Sequence, residues 1–187
     1  MRTAFKEWAI VVDALGRGEQ IIILRKGGLA EGSGGFQVTH PRFLLFPTLY
    51  HQQRESVLPA AQSRHDEIAP HLPTPDVLRL ELCAEVVAWR KLASLAAVER
   101  LRGQHIWRDD VLAQRFDWGQ QQEIFALAVR VSRLLQRIEL PMLPSYGGCK
   151  SWLELAVEIS TDAAQPVLTE AAFQARLQQF ESSLAAG

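Results

Sequence analysis

The chain has 187 residues, 48% of them apolar and 22% charged, with 20 basic and 21 acidic residues and a formal net charge of -1. This composition excludes wholesale disorder, a globally basic nucleic-acid coat and a polyacidic tail. The length fits one domain with a core that needs neither disulfides nor a metal to hold it.

The chain is expected to open with a helix over residues 4–16, because Phe5, Trp8, Ala9, Val12 and Leu15 recur at helical spacing. Gly16 and Gly18 end it. Gln20–Arg25, with three consecutive isoleucines, reads as a strand. Residues 26–35 hold five glycines but have neither the P-loop order nor the dinucleotide-binding order of glycines. Short strands are predicted at Phe36–His40 and at Arg42–Phe46, the second stopped by Pro47. Residues 52–75 are polar and carry Pro59, Pro70, Pro73 and Pro75; they read as a surface excursion, helical in part over 54–69. From 77 to 89 the chain alternates, with Leu78, Leu80, Leu82, Ala84 and Val86 on one face, as in a half-buried antiparallel strand. Helices follow at Leu95–Arg102 and Arg108–Arg115, then a second alternating strand at Glu123–Leu134, a loop at Glu139–Gly148, and a strand or turn at Cys149–Leu155. A C-terminal helix starts at the N-cap Thr169 and presents Phe173, Leu177, Phe180 and Leu184 as one stripe, which is expected to pack on the domain.

The order is that of an α+β fold: a small mixed or antiparallel β-barrel with peripheral helices and a C-terminal helix. Residues 1–157 are expected to form the domain, with 52–75 as its excursion, and 158–187 a helical appendage. The domain carries 19 basic and 17 acidic residues and the appendage 1 and 4, so the near-neutral total is a cancellation between parts. Neither a secretory leader nor a membrane span is expected. Lys6, Glu7 and Asp13 interrupt the first residues, and no window approaches about 18 apolar residues in a row. Cys83 and Cys149 form no disulfide framework and no zinc pair, and the five histidines are scattered, so the cytoplasm is the expected compartment and no metal or other cofactor is expected.

Several clusters carry possible chemistry. Arg25 and Lys26 end a strand beside the glycine-rich loop, where a phosphate or base edge can approach; the alternative is an Arg25 pair with Glu7 or another carboxylate. Thr48, Tyr50 and His51 follow the Arg42 strand, and His51 is of the residue type that exchanges protons near neutral pH. His105, Trp107 and Arg115 form a basic and aromatic cluster suited to stacking unpaired bases, unless the tryptophans are core residues. Tyr146–Trp152 sets two glycines beside Lys150, Ser151 and Trp152, while Cys149 has no base nearby to make it a nucleophile. The basic residues are 16 arginines and only 4 lysines; most of the arginines read as paired surface residues, with Arg25, Arg42 and Arg115 beside these clusters.

Four blocks resemble a bacterial family of uncharacterised proteins, a domain of unknown function of cyanobacterial type. They are Phe5-Lys-Glu-Trp-Ala, Leu24-Arg-Lys-Gly-Gly, Arg42-Phe-Leu-Leu-Phe-Pro-Thr-Leu-Tyr-His-Gln and Tyr146-Gly-Gly-Cys-Lys-Ser-Trp. That family implies no activity. A more distant resemblance is to the PUA-like superfamily, in its ASCH and EVE branches, which are small β-barrels that bind RNA or modified bases. Gly18 and Arg25 match the ends of the ASCH frame G-K-K-T-x-E-x-R. Glu19 and Gln20 replace its lysines, Ile21 its threonine and Ile23 its glutamate, so the amidohydrolase activity of one ASCH branch is not carried over.

These readings favour a nucleic-acid-binding module, with RNA or a modified or unpaired DNA base as partner and no membrane. Its expected binders are Arg25, Lys26, Arg42, His105, Trp107, Arg115, Lys150 and Trp152. The alternatives are a hydrolase acting on a nucleoside or nucleic acid, with His51, Lys26 and Thr48 as candidates, and an interaction protein that docks a partner on its C-terminal stripe.

Overall fold

The structure, a computed structural model, describes residues 1–26, 38–49, 53–119 and 121–185. His51 and the glycine-rich stretch from Gly27 to Gly35 lie outside the described residues.

Two long strands form the spine, β4 (Val77–Leu92) and β5 (Ile124–Pro141). They pair antiparallel from Val77↔Pro141 to Leu92↔Ile124, with irregularities between Leu80 and Leu82 and between Val86 and Ala88. Such bulges bend a strand and raise its twist. On the far side of β5 lie β2 (Ile22–Arg25) and the two-residue β7 (Gln165–Pro166). On the far side of β4 lies β3 (Arg42–Thr48), then β1 (Thr3–Trp8) parallel to it, then β6 (Trp152–Glu154). The order β2-β5-β4-β3-β1-β6 makes a curled, mixed half-barrel. The α+β class holds, but the expected barrel does not close: β2 and β6 remain separate edges of the sheet.

The helices are α1 (Ala9–Gly16), α2 (Pro59–Ile68), α3 (Leu95–Glu99), α4 (Asp109–Asp117) and α5 (Glu170–Ala185). The opening helix thus has 8 residues and starts at Ala9 rather than at residue 4, and residues 3–8 are a strand instead. Helical spacing from Phe5 to Ala9 and Val12 is a local signal. It yields to a slot between β3 and β6, where both edges of the backbone find ladder partners. Gly18 closes α1 with φ +67°, and the N–H groups of Gly18 and Glu19 donate to Leu15 O and Ala14 O, the crossed bonds of a helix stop. A β-carbon at Gly18 would lie 2.5 Å from Leu168 Cδ2. β3 runs through Pro47; β4 pairs with it only as far as Leu44, so the proline occupies an edge-like position. Residues 38–40 are not a strand. The excursion carries α2 and a 3₁₀ turn at each end.

Two apolar clusters flank the sheet. The larger joins Phe5, Phe43, Leu45 and Val129 to Ile10, Leu15, Trp107 and Phe116. The smaller joins Ala4, Leu44 and Phe46 to Tyr146, Leu153 and Ile159. Alternation along β1 and β3 explains the split, since neighbouring side chains point to opposite faces. Thr169 caps α5, its Oγ1 accepting the Ala172 N–H. Phe173, Leu177 and Phe180 are buried in the larger cluster, so this stripe is not a free docking face. Among the described residues no helix is long and apolar enough to cross a membrane.

Phe173 is 1% exposed, and the Arg130 guanidinium lies 4.0 Å above its ring. Phe173→Ala is expected to cost about 3–5 kcal/mol in urea unfolding, as for other buried aromatic truncations. His105 provides a pH-dependent check. Burial pushes its imidazole down to about 4, and its Nδ1 accepts the Trp107 N–H at 3.2 Å. The unfolded chain takes up a proton near pH 6.5 and the folded chain near 4, so stability is full above 6.5 and falls as pH drops through that window. The loss is expected to be roughly 3 kcal/mol larger in wild type than in His105→Asn, measured by denaturant titration at pH 7 and pH 4.

Candidate functional site

The two free edges of the sheet meet through side chains. Arg25 ends β2, and its Nε donates to Ser151 Oγ, just before β6, at 2.9 Å. The same guanidinium sits 5.4 Å above the Phe5 ring. Next to it on β1, the Lys6 N–H donates to Ser151 O, and Lys6 Nζ donates to Gly148 O at 2.9 Å. Lys150 Nζ turns to Ser145 O at 3.0 Å. Burial holds the Lys6 ammonium below its ordinary range, and the charges of Lys150 and Arg25 push the same way. The residues Tyr146–Ser151 thus join the β1 and β2 motifs in one place. Gly148 has φ +81°, a backbone position suited to glycine, and nothing stands within 4 Å of where its β-carbon would be.

Glu7 lies one residue further along β1, and only 3% of it is exposed. Its Oε1 accepts the Trp8 N–H at 2.7 Å. Among the described residues no donor reaches Oε2. Burial raises the carboxyl above its ordinary value, opposed by the charge of Arg25, the Trp8 hydrogen bond and the charge of Arg115. Arg115 reaches this place from α4. Its guanidinium lies 3.8 Å from the Trp107 ring centre and 4.7 Å from that of Trp8. Burial lowers it to about 10, so it still carries its charge at neutral pH. No ion pair within 4.0 Å links Glu7 to either arginine, so the Arg25–Glu7 pair weighed from sequence is a neighbourhood without a salt bridge.

The predicted site residues divide accordingly. Arg25 and Arg115 approach Glu7 on one face of β1, while Lys6, over the Phe46 ring on the other face, has Lys150 and Arg25 as its charged neighbours, and Trp152 packs on Phe5 beneath Arg25. The Trp152 ring is partly buried and packs edge-on with Phe5, Phe43 and His40. Trp107 is 1% exposed and has Trp8 and Arg115 against it, so it supports Arg115 and offers no open face to a base. His105 is buried and neutral, away from solvent. Lys26 Nζ donates to the carbonyls of Phe116 and Gln121 and so secures the chain at the end of α4. Arg42 opens β3 and Thr48 ends it, which holds them about 20 Å apart along the strand. Thr48 Oγ1 donates to Glu7 O at 3.1 Å.

Lys6 and Gln53 are the site's unforeseen members. Lys6 was legible as a site residue only through the Phe5–Ala9 block, whereas Glu7 was already weighed as a neighbour of Arg25 and Ser151 as part of Tyr146–Trp152. Buried Gln53 donates to Thr48 O and accepts the Ile10 N–H, tying the end of β3 to the start of α1. Nothing in sequence spacing distinguishes this glutamine from a surface one.

The arginine excess also resolves here. Among the described residues nine arginines form ion pairs with carboxylates, Arg54–Asp66, Arg64–Asp13 and Arg130–Glu170 among them, whereas Lys6, Arg25 and Lys150 engage only neutral acceptors.

No curated protein and no solved structure matches the chain. One family model matches it over residues 4–179, a span that holds Lys6, Glu7, Arg25, Arg115 and Lys150 alike, and the chain therefore belongs to the family described as a domain of unknown function, DUF1802.

Proposed function

We propose that this DUF1802 chain is a nucleic-acid-binding module, related to the PUA-like proteins, that takes a single-stranded phosphate backbone across the Lys6–Arg25–Lys150 cluster. One observation carries the reading. Lys6 stands within electrostatic reach of both Lys150 and Arg25, and the hydrogen bonds of all three go to carbonyls and a hydroxyl. Like charges gathered with no carboxylate in a salt bridge to them form a ready site for an anion, and lysine and arginine contacts to phosphate are the commonest part of a protein–nucleic acid interface. The Trp152 ring next to Ser151 supports a base or sugar at the same place. Fluorescence anisotropy with short single strands of RNA and DNA at low salt tests it. Dissociation constants tighter than about 10⁻⁴ M are expected. Lys6→Gln and Lys150→Gln should each weaken binding and lower the salt slope by about 1, while exposed Arg90→Gln leaves it unchanged. Binding that is absent, or indifferent to salt, overturns the reading.

A second reading, a hydrolase acting on a nucleoside or nucleic acid, is favoured by the Glu7 carboxyl. A buried carboxyl with a raised pKa, an Oε2 that receives no hydrogen bond among the described residues and two guanidinium groups nearby fits a general acid. Glu7 takes the acid–base place in this reading, since Lys26 and Thr48 are engaged with backbone carbonyls, Thr48 with that of Glu7 itself. Glu7→Gln separates the two readings: it should keep strand binding and abolish any release of nucleotide. It should also stabilise the fold at neutral pH. In wild type the unfolded carboxyl ionises near 4.5 while the folded one holds its proton to higher pH, so stability falls as pH rises through that window, and glutamine removes the fall. Equal stability of the two proteins at pH 4 and pH 7 would show that the carboxyl is not held protonated.

A further inference from the structure

Apart from this cluster, α1, the turn at Ala69–His71 and the strands β3, β4 and β5 border a groove of about 340 Å³. We propose that the groove binds a small amphipathic anion, an alkyl or aryl chain that ends in a phosphate or carboxylate. The proposal is independent of nucleic-acid binding and uses different residues.

The groove has two chemistries. Its floor is apolar: Leu45 and Leu82 are buried beneath it, and partly exposed Val12, Ile68 and Leu72 form its walls. Its rim holds four arginines and two carboxylates. Asp13 is taken by Arg64 through two hydrogen bonds, at 3.0 and 3.1 Å. Arg17 and Arg79 are paired with Glu19 and Glu139. That leaves Arg133 and Arg137 to share Glu81, at 3.6 and 3.7 Å, both too long for a hydrogen bond. Arg133 also donates to Gly16 O at 2.8 Å. The Arg137 guanidinium makes the long Glu81 contact and is 57% exposed, so its planar donors are open to a second acid. One carboxylate between two guanidinium groups leaves a positive charge beside an apolar trough. An occupant with a chain for the floor and an anion for Arg133 and Arg137 matches both parts. The volume lies at the small-ligand end of the usual 300–1,000 Å³ range, roughly a ten-carbon chain with its head group.

Calorimetric titration of the full chain with decyl phosphate, below its micellar concentration, tests the proposal. Saturable one-to-one binding is expected, at least about tenfold tighter than that of decanol or of inorganic phosphate, since a charge-assisted pair contributes about that factor. Arg137→Gln should weaken it about tenfold without moving the thermal midpoint. Leu72→Asp should abolish it through the apolar wall, and Arg90→Gln should leave it unchanged. No saturation by about 1 mM, equal affinity for decanol, or an unaltered Arg137→Gln protein overturns the proposal. Displacement of decyl phosphate by a short RNA strand overturns it as well, because the groove would then belong to a polymer-binding surface. Should Leu72→Asp fail to fold, Arg137→Gln still decides.

Discussion

The β4–β5 ladder is the constraint on which the other elements depend. Strands of 16 and 18 residues pair along nearly their whole length, and the bulges near Leu82 and Val86 let the pair curl. Each long strand then has one free edge to offer. β5 gives its edge to β2 and β7, and β4 gives its edge to β3, which brings β1 and β6 with it. Curling brings the two outermost strands toward each other without a ladder between them, and the gap is spanned by a side chain, the Arg25 guanidinium on Ser151. A closed ladder would fill this place with backbone hydrogen bonds. The open one leaves side chains there.

That opening explains the charge distribution. Elsewhere among the described residues nine arginines have a carboxylate neighbour, and such exposed pairs add little to stability. At the joined edges the pattern reverses. Burial disfavours charge on Lys6, Glu7 and Arg115 alike, which shifts the cations down and the carboxyl up. Stacking on Trp8 and Trp107 compensates Arg115 in part, since a guanidinium is weakly hydrated and its flat face suits an indole. Trp107, chosen from sequence as a base platform, thus holds an arginine instead. The Arg133–Arg137 pair repeats the theme in weaker form beside α1, with two guanidinium groups around one carboxylate at the lip of an apolar trough.

Much of the architecture was legible in the sequence where a pattern was long. The alternating runs at 77–89 and 123–134 are strands, and Thr169, Phe173, Leu177 and Phe180 are the cap and buried face of α5. Gly18 marks the end of α1 because only a backbone with positive φ closes it there. Short segments were not legible. Residues 3–8 carry a helical spacing and fold as a strand, because ladder partners on β3 and β6 outweigh a local period that six residues cannot establish. The expected barrel failed for a related reason: closure depends on whether two edges meet in register, and no single segment encodes that.

The site shows the same division. By itself the sequence determined which residues could carry chemistry and which blocks contain them, because side-chain type and backbone propensity are local properties. Only the tertiary structure decided that Lys6 and Glu7 join Arg25, Arg115 and Lys150, that Trp107 and His105 are interior, and that Lys26 fastens α4. Those outcomes depend on desolvation and on the distance between charges far apart in the chain, and both quantities exist only once the sheet has curled.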